Sequence, residues 1–192
     1  MHMIDGILLA GGRSSRMGQD KALLRRDHRN MFFYILDTLE PLPLETIYIS
    51  RNHDQIRYLT RHPMVSDLHQ KLGPIGGIYS VMLRSQSDGF LIVPVDLPLI
   101  ETPDLNRLFK KGCELNKPVH FEDHFLPLYL PNTYEIQRYI ESVINGDIKT
   151  RSIKGLCRQF NAITLKPSDE NRLSNTNTPD QWREAEYAIS II

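Results

Sequence analysis

Cysteine is scarce in this chain: its 192 residues include only Cys113 and Cys157, and the two form neither a CxxC pair nor a recognisable zinc pattern. A disulfide framework is thereby excluded, and the pattern is that of free thiols in a reducing compartment. An excess of charge of one sign is also missing, since 23 Lys and Arg balance 23 Asp and Glu. That balance argues against a broad electrostatic footprint for DNA, RNA or an anionic membrane. Long hydrophobic runs are absent as well. The longest, around Phe90 to Val95, is far too short to cross a bilayer. No charged segment followed by a hydrophobic one opens the chain, and the expected location is the cytoplasm. Met1-His2 ahead of Met3 reads as a two-residue cloning remnant.

Several functional devices are missing too. There is no GxGxxG spacing, no GxxxxGK[ST] P-loop, no HExxH and no GxSxG nucleophile elbow, which removes the commonest signatures of dinucleotide binding, P-loop chemistry, zinc proteolysis and serine hydrolysis. Neither low-complexity tract nor internal repeat divides the chain. With 41% hydrophobic and 24% charged residues the composition is that of an ordinary globular protein. The length suits one domain, residues 1–192, with a continuous core.

Short apolar segments alternate with helical patterns, which predicts an α/β fold with a mainly parallel sheet. The strand candidates are Ile4 to Ala10, Thr46 to Ser50, Met64 to Asp67, Phe90 to Pro94, Pro118 to Phe121, Phe125 to Tyr129 and Asn161 to Thr164. Phe32, Ile35, Leu36 and Leu39 recur at helical spacing, as do Ile75, Ile78, Tyr79 and Met82, with Leu83 extending the stripe, so both segments are expected to pack on the sheet. Asn132 to Asn145 reads as a further helix ended by Gly146-Asp147. Thr102-Pro103 and Thr178-Pro179-Asp180-Gln181 read as helix starts, each a threonine N-cap followed by proline, the second with a capping-box glutamine.

The positive charge is local. Between residues 13 and 29 there are six Arg or Lys against two Asp. This stretch follows directly on the first apolar strand, in the string Leu8-Leu9-Ala10-Gly11-Gly12-Arg13-Ser14-Ser15-Arg16-Met17-Gly18-Gln19-Asp20-Lys21. Gly11 and Gly12 let backbone N–H groups approach phosphate oxygens without an intervening side chain, and Arg13, Arg16 and Lys21 add fixed cations. The string is suited to a triphosphate.

Ligands of open α/β sheets sit beyond the carboxyl ends of the strands. By that rule Asp67, Asp96 and Ser50 with Arg51 and Asn52 join the glycine loop as candidates. Asp96 follows Leu91-Ile92-Val93-Pro94-Val95 and precedes Leu97-Pro98, a strand-end carboxylate of the kind Mg²⁺ accepts beside phosphate oxygens. Asp67 has the alternative of merely terminating its strand. Gly73-Pro74-Ile75-Gly76-Gly77 is either a plain turn into a helix or a place where a sugar or base comes close to a helix N-terminus.

Taken in order, these elements resemble the nucleotidyltransferase superfamily that includes sugar-phosphate nucleotidylyltransferases, and most closely the molybdenum cofactor guanylyltransferases of the MobA type. Leu9-Ala10-Gly11-Gly12 through Asp20-Lys21 looks like the family's signature loop. Asp67 with Gly73-Pro74-Ile75-Gly76-Gly77, then Val93-Pro94-Val95-Asp96-Leu97-Pro98, and finally Asn175-Thr176-Asn177-Thr178-Pro179 resemble its later motifs. The resemblance implies a Rossmann-like three-layer sandwich of the nucleotide-diphospho-sugar transferase type and transfer of GMP from GTP to the terminal phosphate of molybdenum-molybdopterin, releasing pyrophosphate. It implies nucleotide contacts from Leu9, Ala10, Gly11, Gly12, Lys21, Ser50, Asp67 and Asp96, and for such a transfer Arg16 and Lys21 are expected to hold the β and γ phosphates. Asp96 is implied as the Mg²⁺ ligand, and Asn175 and Asn177 as lying near the acceptor or the metal site. Apart from the resemblance, Arg151, with Lys149 nearby, reads either as a cation that screens the acceptor phosphate or as part of a solvated helix face. Proteins that deliver molybdopterin or mature molybdoenzymes are the expected macromolecular partners.

Three positions depart from the family pattern. Ser50 stands where many relatives have asparagine, Val95 replaces a frequent cysteine, and Asp27-His28-Arg29-Asn30 lacks the usual Gly-Lys-Pro. Phosphate binding is common to all nucleotides, so a transferase using CTP or a sugar phosphate is the nearest competing reading. A non-catalytic nucleotide-binding protein is another.

Overall fold

The computed structural model describes residues 2–12, 20–26, 28–55, 60–69 and 72–190. Arg13, Arg16 and Asp27 lie outside the described residues. Nine strands are described: β1 (Ile4–Leu9), β2 (Arg25–Arg26), β3 (Arg29–Asn30), β4 (Ile47–Arg51), β5 (Met64–Ser66), β6 (Gly89–Pro94), β7 (Val119–Phe121), β8 (His124–Pro131) and β9 (Ile163–Leu165). The helices are α1 (Met31–Leu39), α2 (Pro74–Met82), α3 (Thr102–Leu115), α4 (Tyr134–Asn145), α5 (Ile153–Gln159) and α6 (Pro179–Ser190). Seven strands form one sheet in the order β5-β4-β1-β6-β8-β7-β9. Four of its six pairings are parallel, and only β8 runs against its neighbours. The small β2–β3 ribbon is antiparallel.

The expected mainly parallel α/β sandwich is therefore present, and side-chain alternation divides its core in two. Ile4 and Leu8 of β1, with Leu91 and Val93 of β6, pack with Phe32 and Ile35 of α1 and Leu105 and Leu108 of α3. Ile7, Phe90 and Ile92 point the other way, to Ile75 and Ile78 of α2, Ile136 and Ile140 of α4, and Leu156 of α5. These side chains are at most 2% exposed, and burying each contributes roughly 1.5–3 kcal/mol.

Several element ends differ from the sequence expectation. Thr102 does not cap α3. It is already helical, Glu101 occupies the cap position without a side-chain bond, and the Thr102 hydroxyl instead donates to the Thr38 carbonyl of α1 at 2.9 Å. A neighbouring helix has thus claimed the hydroxyl that a local reading assigns to capping. Leu83 follows the last residue of α2 and is exposed, so it does not extend the buried stripe. The last strand begins at Ile163 rather than Asn161, because Asn161 adopts φ 48°, which breaks an extended backbone. The capping box at Thr178 is formed: its hydroxyl accepts from Gln181 N at 3.3 Å while Gln181 Oε1 accepts from Thr178 N at 3.1 Å.

Candidate active site

Because β4, β1, β6 and β5 run in one direction, the chain leaves all four at the same edge of the sheet. A cavity of about 320 Å³ opens there, within the range of small-ligand sites. Its walls come from four places: Leu9 to Gly12 after β1, Ser50 and Asn52 at the end of β4, Asp67 after β5, and Pro94 to Asp96 after β6. Gly73, Pro74 and Gly77 at the start of α2 close one side, and Asp20, Lys21, Leu126 and Asn175 complete the lining.

Two glycines here have steric reasons. A Cβ on Gly11 would stand 3.2 Å from Arg51 Cα and 3.3 Å from Asn52 N, so a side chain there would push the loop after β1 away from the backbone at the end of β4. A Cβ on Gly77 would stand 2.4 Å from Ser50 Oγ, which shows how closely α2 approaches the floor of the cavity. Ala10 N donates to the Ser50 carbonyl at 2.9 Å and Val95 N to the Leu9 carbonyl at 3.0 Å. The ladder thus extends past the strand ends and fixes the loop backbone.

The centre of polar chemistry is Lys21. A short 3₁₀ turn, Lys21–Leu23, is capped by Asp20, whose Oδ1 accepts from Ala22 N at 3.0 Å. From this turn the Lys21 ammonium donates to Asp96 Oδ2 at 2.8 Å and to Asn177 Oδ1 at 2.6 Å. The Lys21 and Asp96 side chains are both more than four-fifths buried, so the pair is shielded from bulk screening. Thr176 ties the late segment to the same place: its N–H donates to the Asp96 carbonyl at 3.0 Å and its hydroxyl to the same oxygen at 3.3 Å. Asn175 to Asn177 are thus held over the end of β6.

Among the described residues no group of three or more His, Cys, Asp or Glu gathers as a metal cage. The Asp96 carboxylate and the Asn177 amide oxygen nevertheless converge on a single cation, the Lys21 ammonium. Hard oxygen donors of this kind fit Mg²⁺, which commonly takes one or two carboxylates and completes its shell with phosphate oxygens and water.

Asp67 lies in the wall, but one of its oxygens is already engaged: Oδ1 accepts from His69 N at 2.8 Å. It therefore shapes the turn toward α2 as well as facing the cavity. Arg151 is exposed before α5 and is not among the lining residues. Arg16 lies outside the described residues. Leu126 and the Asp20–Arg51 ion pair are what sequence reading missed. Leu126 enters because β8 runs antiparallel and so begins at the edge where the parallel strands end.

The cysteines do not take part. Burial pushes the Cys157 thiol up to about 12 and raises that of Cys113 as well, so both remain protonated near neutrality and are poor nucleophiles. No helix among the described residues is long and apolar enough to cross a membrane.

Residues 6–157 match the family model described as the MobA-like NTP transferase domain. A molybdenum cofactor guanylyltransferase from Xanthomonas euvesicatoria pv. vesicatoria is 32% identical over 180 residues, covering 92% of this chain and 91% of that protein. Among solved structures, molybdopterin-guanine dinucleotide biosynthesis protein A from Archaeoglobus fulgidus has a TM-score of 0.77 at 20% identity, covering 98% of this chain and 100% of the other. The 2-C-methyl-D-erythritol 4-phosphate cytidylyltransferase from Thermus thermophilus has a TM-score of 0.73 at 8% identity, covering 97% of this chain and 98% of the other, so the same fold serves a cytidylyltransferase. The order of the motifs, the sheet that gathers them and the match across most of the length agree: this chain is a nucleotidyltransferase and belongs to the MobA-like NTP transferase family.

Proposed function

We propose that this chain transfers GMP from GTP to the terminal phosphate of molybdenum-molybdopterin, forming the guanine dinucleotide form of the cofactor. The observation that carries this reading is the convergence of Asp96 and Asn177 on Lys21, with Lys21 and Asp96 lining a glycine-walled cavity. The relatives named as molybdenum cofactor guanylyltransferases support the choice of substrates. The chain works as a single nucleotidyltransferase domain in the cytoplasm.

In this reading an oxygen of the acceptor phosphate forms a bond to the α-phosphorus of GTP. The bond from that phosphorus to the bridging oxygen of the β-phosphate breaks, and pyrophosphate leaves with the electron pair. No strong general base is needed, because a phosphate monoester with a second pKa near ~6 is already largely anionic at neutral pH. The protein's task is to hold the reacting groups in line and to offset their charge. Leu9, Ala10, Gly11 and Gly12 present backbone to the nucleotide, Ser50 and Asp67 bound the nucleoside, and Arg16 and Lys21 meet the β and γ phosphates. Asn175 and Asn177 orient the acceptor, and Arg151 adds positive charge on its side. Asp96 and Asn177 would hold Mg²⁺, which supplies charge neutralisation to the phosphates when bound.

Incubating the protein with molybdenum-loaded molybdopterin and each nucleoside triphosphate, with and without Mg²⁺, tests the reading. GTP-dependent, Mg²⁺-dependent release of pyrophosphate is expected, with a dinucleotide product identified by mass. Preference for CTP would replace the assigned base, and binding without pyrophosphate release would identify a non-catalytic binder.

A further inference from the structure

Arg51 is the last residue of β4 and is 1% exposed. Ser50 beside it faces α2 and Gly77, so alternation sends Arg51 to the opposite face of the sheet. There its guanidinium lies 6.0 Å from the ring centre of Phe32 in α1, beneath the loop that carries Lys21. Its terminal nitrogen pairs with Oδ2 of Asp20. The other oxygen of the same carboxylate caps the turn that begins at Lys21. One carboxylate thus joins the buried arginine to the residue whose ammonium reaches Asp96 and Asn177.

We propose that Arg51 is a positioning residue for the polyphosphate part of the nucleotide, acting through Asp20 on Lys21. The inference rests on the reading that this cavity takes a nucleoside triphosphate. Two physical effects combine. The ion pair anchors the start of the 3₁₀ turn to the end of a strand paired on both sides, so the Lys21 ammonium is delivered to a fixed place. Asp20 also lines the cavity, where an uncompensated carboxylate would repel phosphate oxygens. Arg51 offsets that charge from below without entering the cavity itself. A guanidinium suits this role because its planar fork holds direction as well as charge, which an ammonium does not.

The test compares binding of GTP and of GMP to the whole chain, with melting temperature followed in parallel. Arg51→Met is expected to weaken GTP about tenfold, a coupling typical of residues within one charge network, while GMP binding stays within about threefold. Under the same coupling, pyrophosphate release at saturating GTP falls less than the KM for GTP rises. Adding Asp20→Asn to Arg51→Met removes the uncompensated carboxylate and recovers part of the lost GTP affinity, leaving it about threefold below native. Arg51→Lys is expected to lie between native and Arg51→Met.

A lower melting temperature with an unchanged GTP-to-GMP affinity ratio would make the pair a structural tie only and overturn the inference. Additive losses in the double variant would do the same. Should Arg51→Met fail to fold, the double variant carries the test, since it buries no unpaired charge, and native GTP affinity there is the refuting result. Native protein that binds no nucleoside triphosphate refutes the underlying reading. Native binding that Arg51→Met leaves intact refutes this inference alone.

Discussion

The two halves of the sheet are built from similar apolar strands but carry different burdens. In the β5-β4-β1-β6 half every pairing is parallel, so all four strand ends open on one edge and their following loops line the cavity. In the β8-β7-β9 half only β8 runs the other way, β7 and β9 again pointing as β6 does, and of these strands only Leu126 reaches the lining. The contrast shows that a strand's place in the order, together with its direction, decides where chemistry can gather: β7 and β9 end at the same edge as β6, but β8 stands between them and the cavity. A parallel strand delivers the residue after its end to a shared edge, whereas an antiparallel neighbour delivers its end to the far side.

Substitutions can break or sharpen this contrast. The largest effect is expected at Asp96, where alanine removes a carboxylate that shares the Lys21 ammonium with Asn177. Turnover should fall by roughly 10²–10³-fold or more, the usual consequence of losing one preorganised electrostatic group, with circular dichroism unchanged. Pyrophosphate release near the native rate would remove Asp96 from the site. Lys21→Ala comes next, with the KM for GTP rising on the order of tenfold, as for a charge-assisted phosphate contact of about 1.5 kcal/mol. Titration with GTP checks it, and unchanged affinity would reassign Lys21 to a structural role.

The antiparallel half should respond in stability rather than in turnover. A Cβ on Gly112 of α3 would stand 2.1 Å from the Tyr129 ring of β8, so Gly112→Ala overpacks the helix against the sheet at a cost of roughly 1–3 kcal/mol. Activity per folded molecule is expected to persist while the melting temperature falls, by about 2–4 °C for each kcal/mol in a chain of this size. A selective loss of GTP affinity in this variant would contradict the division between the halves. The smallest effect is expected at Ser152, whose hydroxyl accepts from Gly155 N at 3.1 Å at the start of α5. Alanine there costs about 1 kcal/mol, readable as a small drop in melting temperature with unchanged GTP binding.

Much of the fold was legible because its signals are local. The apolar segments of β1, β4, β5 and β6 and the helical stripes of α1, α2 and α4 need only their own periodicity to be recognised. The glycine loop, Asp67 and Asp96 were legible as candidates because each follows such a segment. The helix start at Thr102 was misread, because its hydroxyl bonds to Thr38, 64 positions earlier in sequence, and no local pattern carries that partner. Arg51 illustrates the same limit from the other side. A charged residue at a strand end reads as facing ligand or solvent, and only the packing of α1 and the Asp20 loop around it shows that it is buried.

The sequence by itself determined the alternation of elements, the local concentration of positive charge and the short list of residues able to meet phosphate. Tertiary structure alone decided that Lys21 meets Asp96, 75 positions away, and Asn177, 156 positions away, and that Arg51 braces the turn from which Lys21 reaches them. Periodicity is set by the geometry of neighbouring residues along the chain. Convergence is set by strand order, and strand order is chosen by the crossovers that bury both faces of the sheet at once.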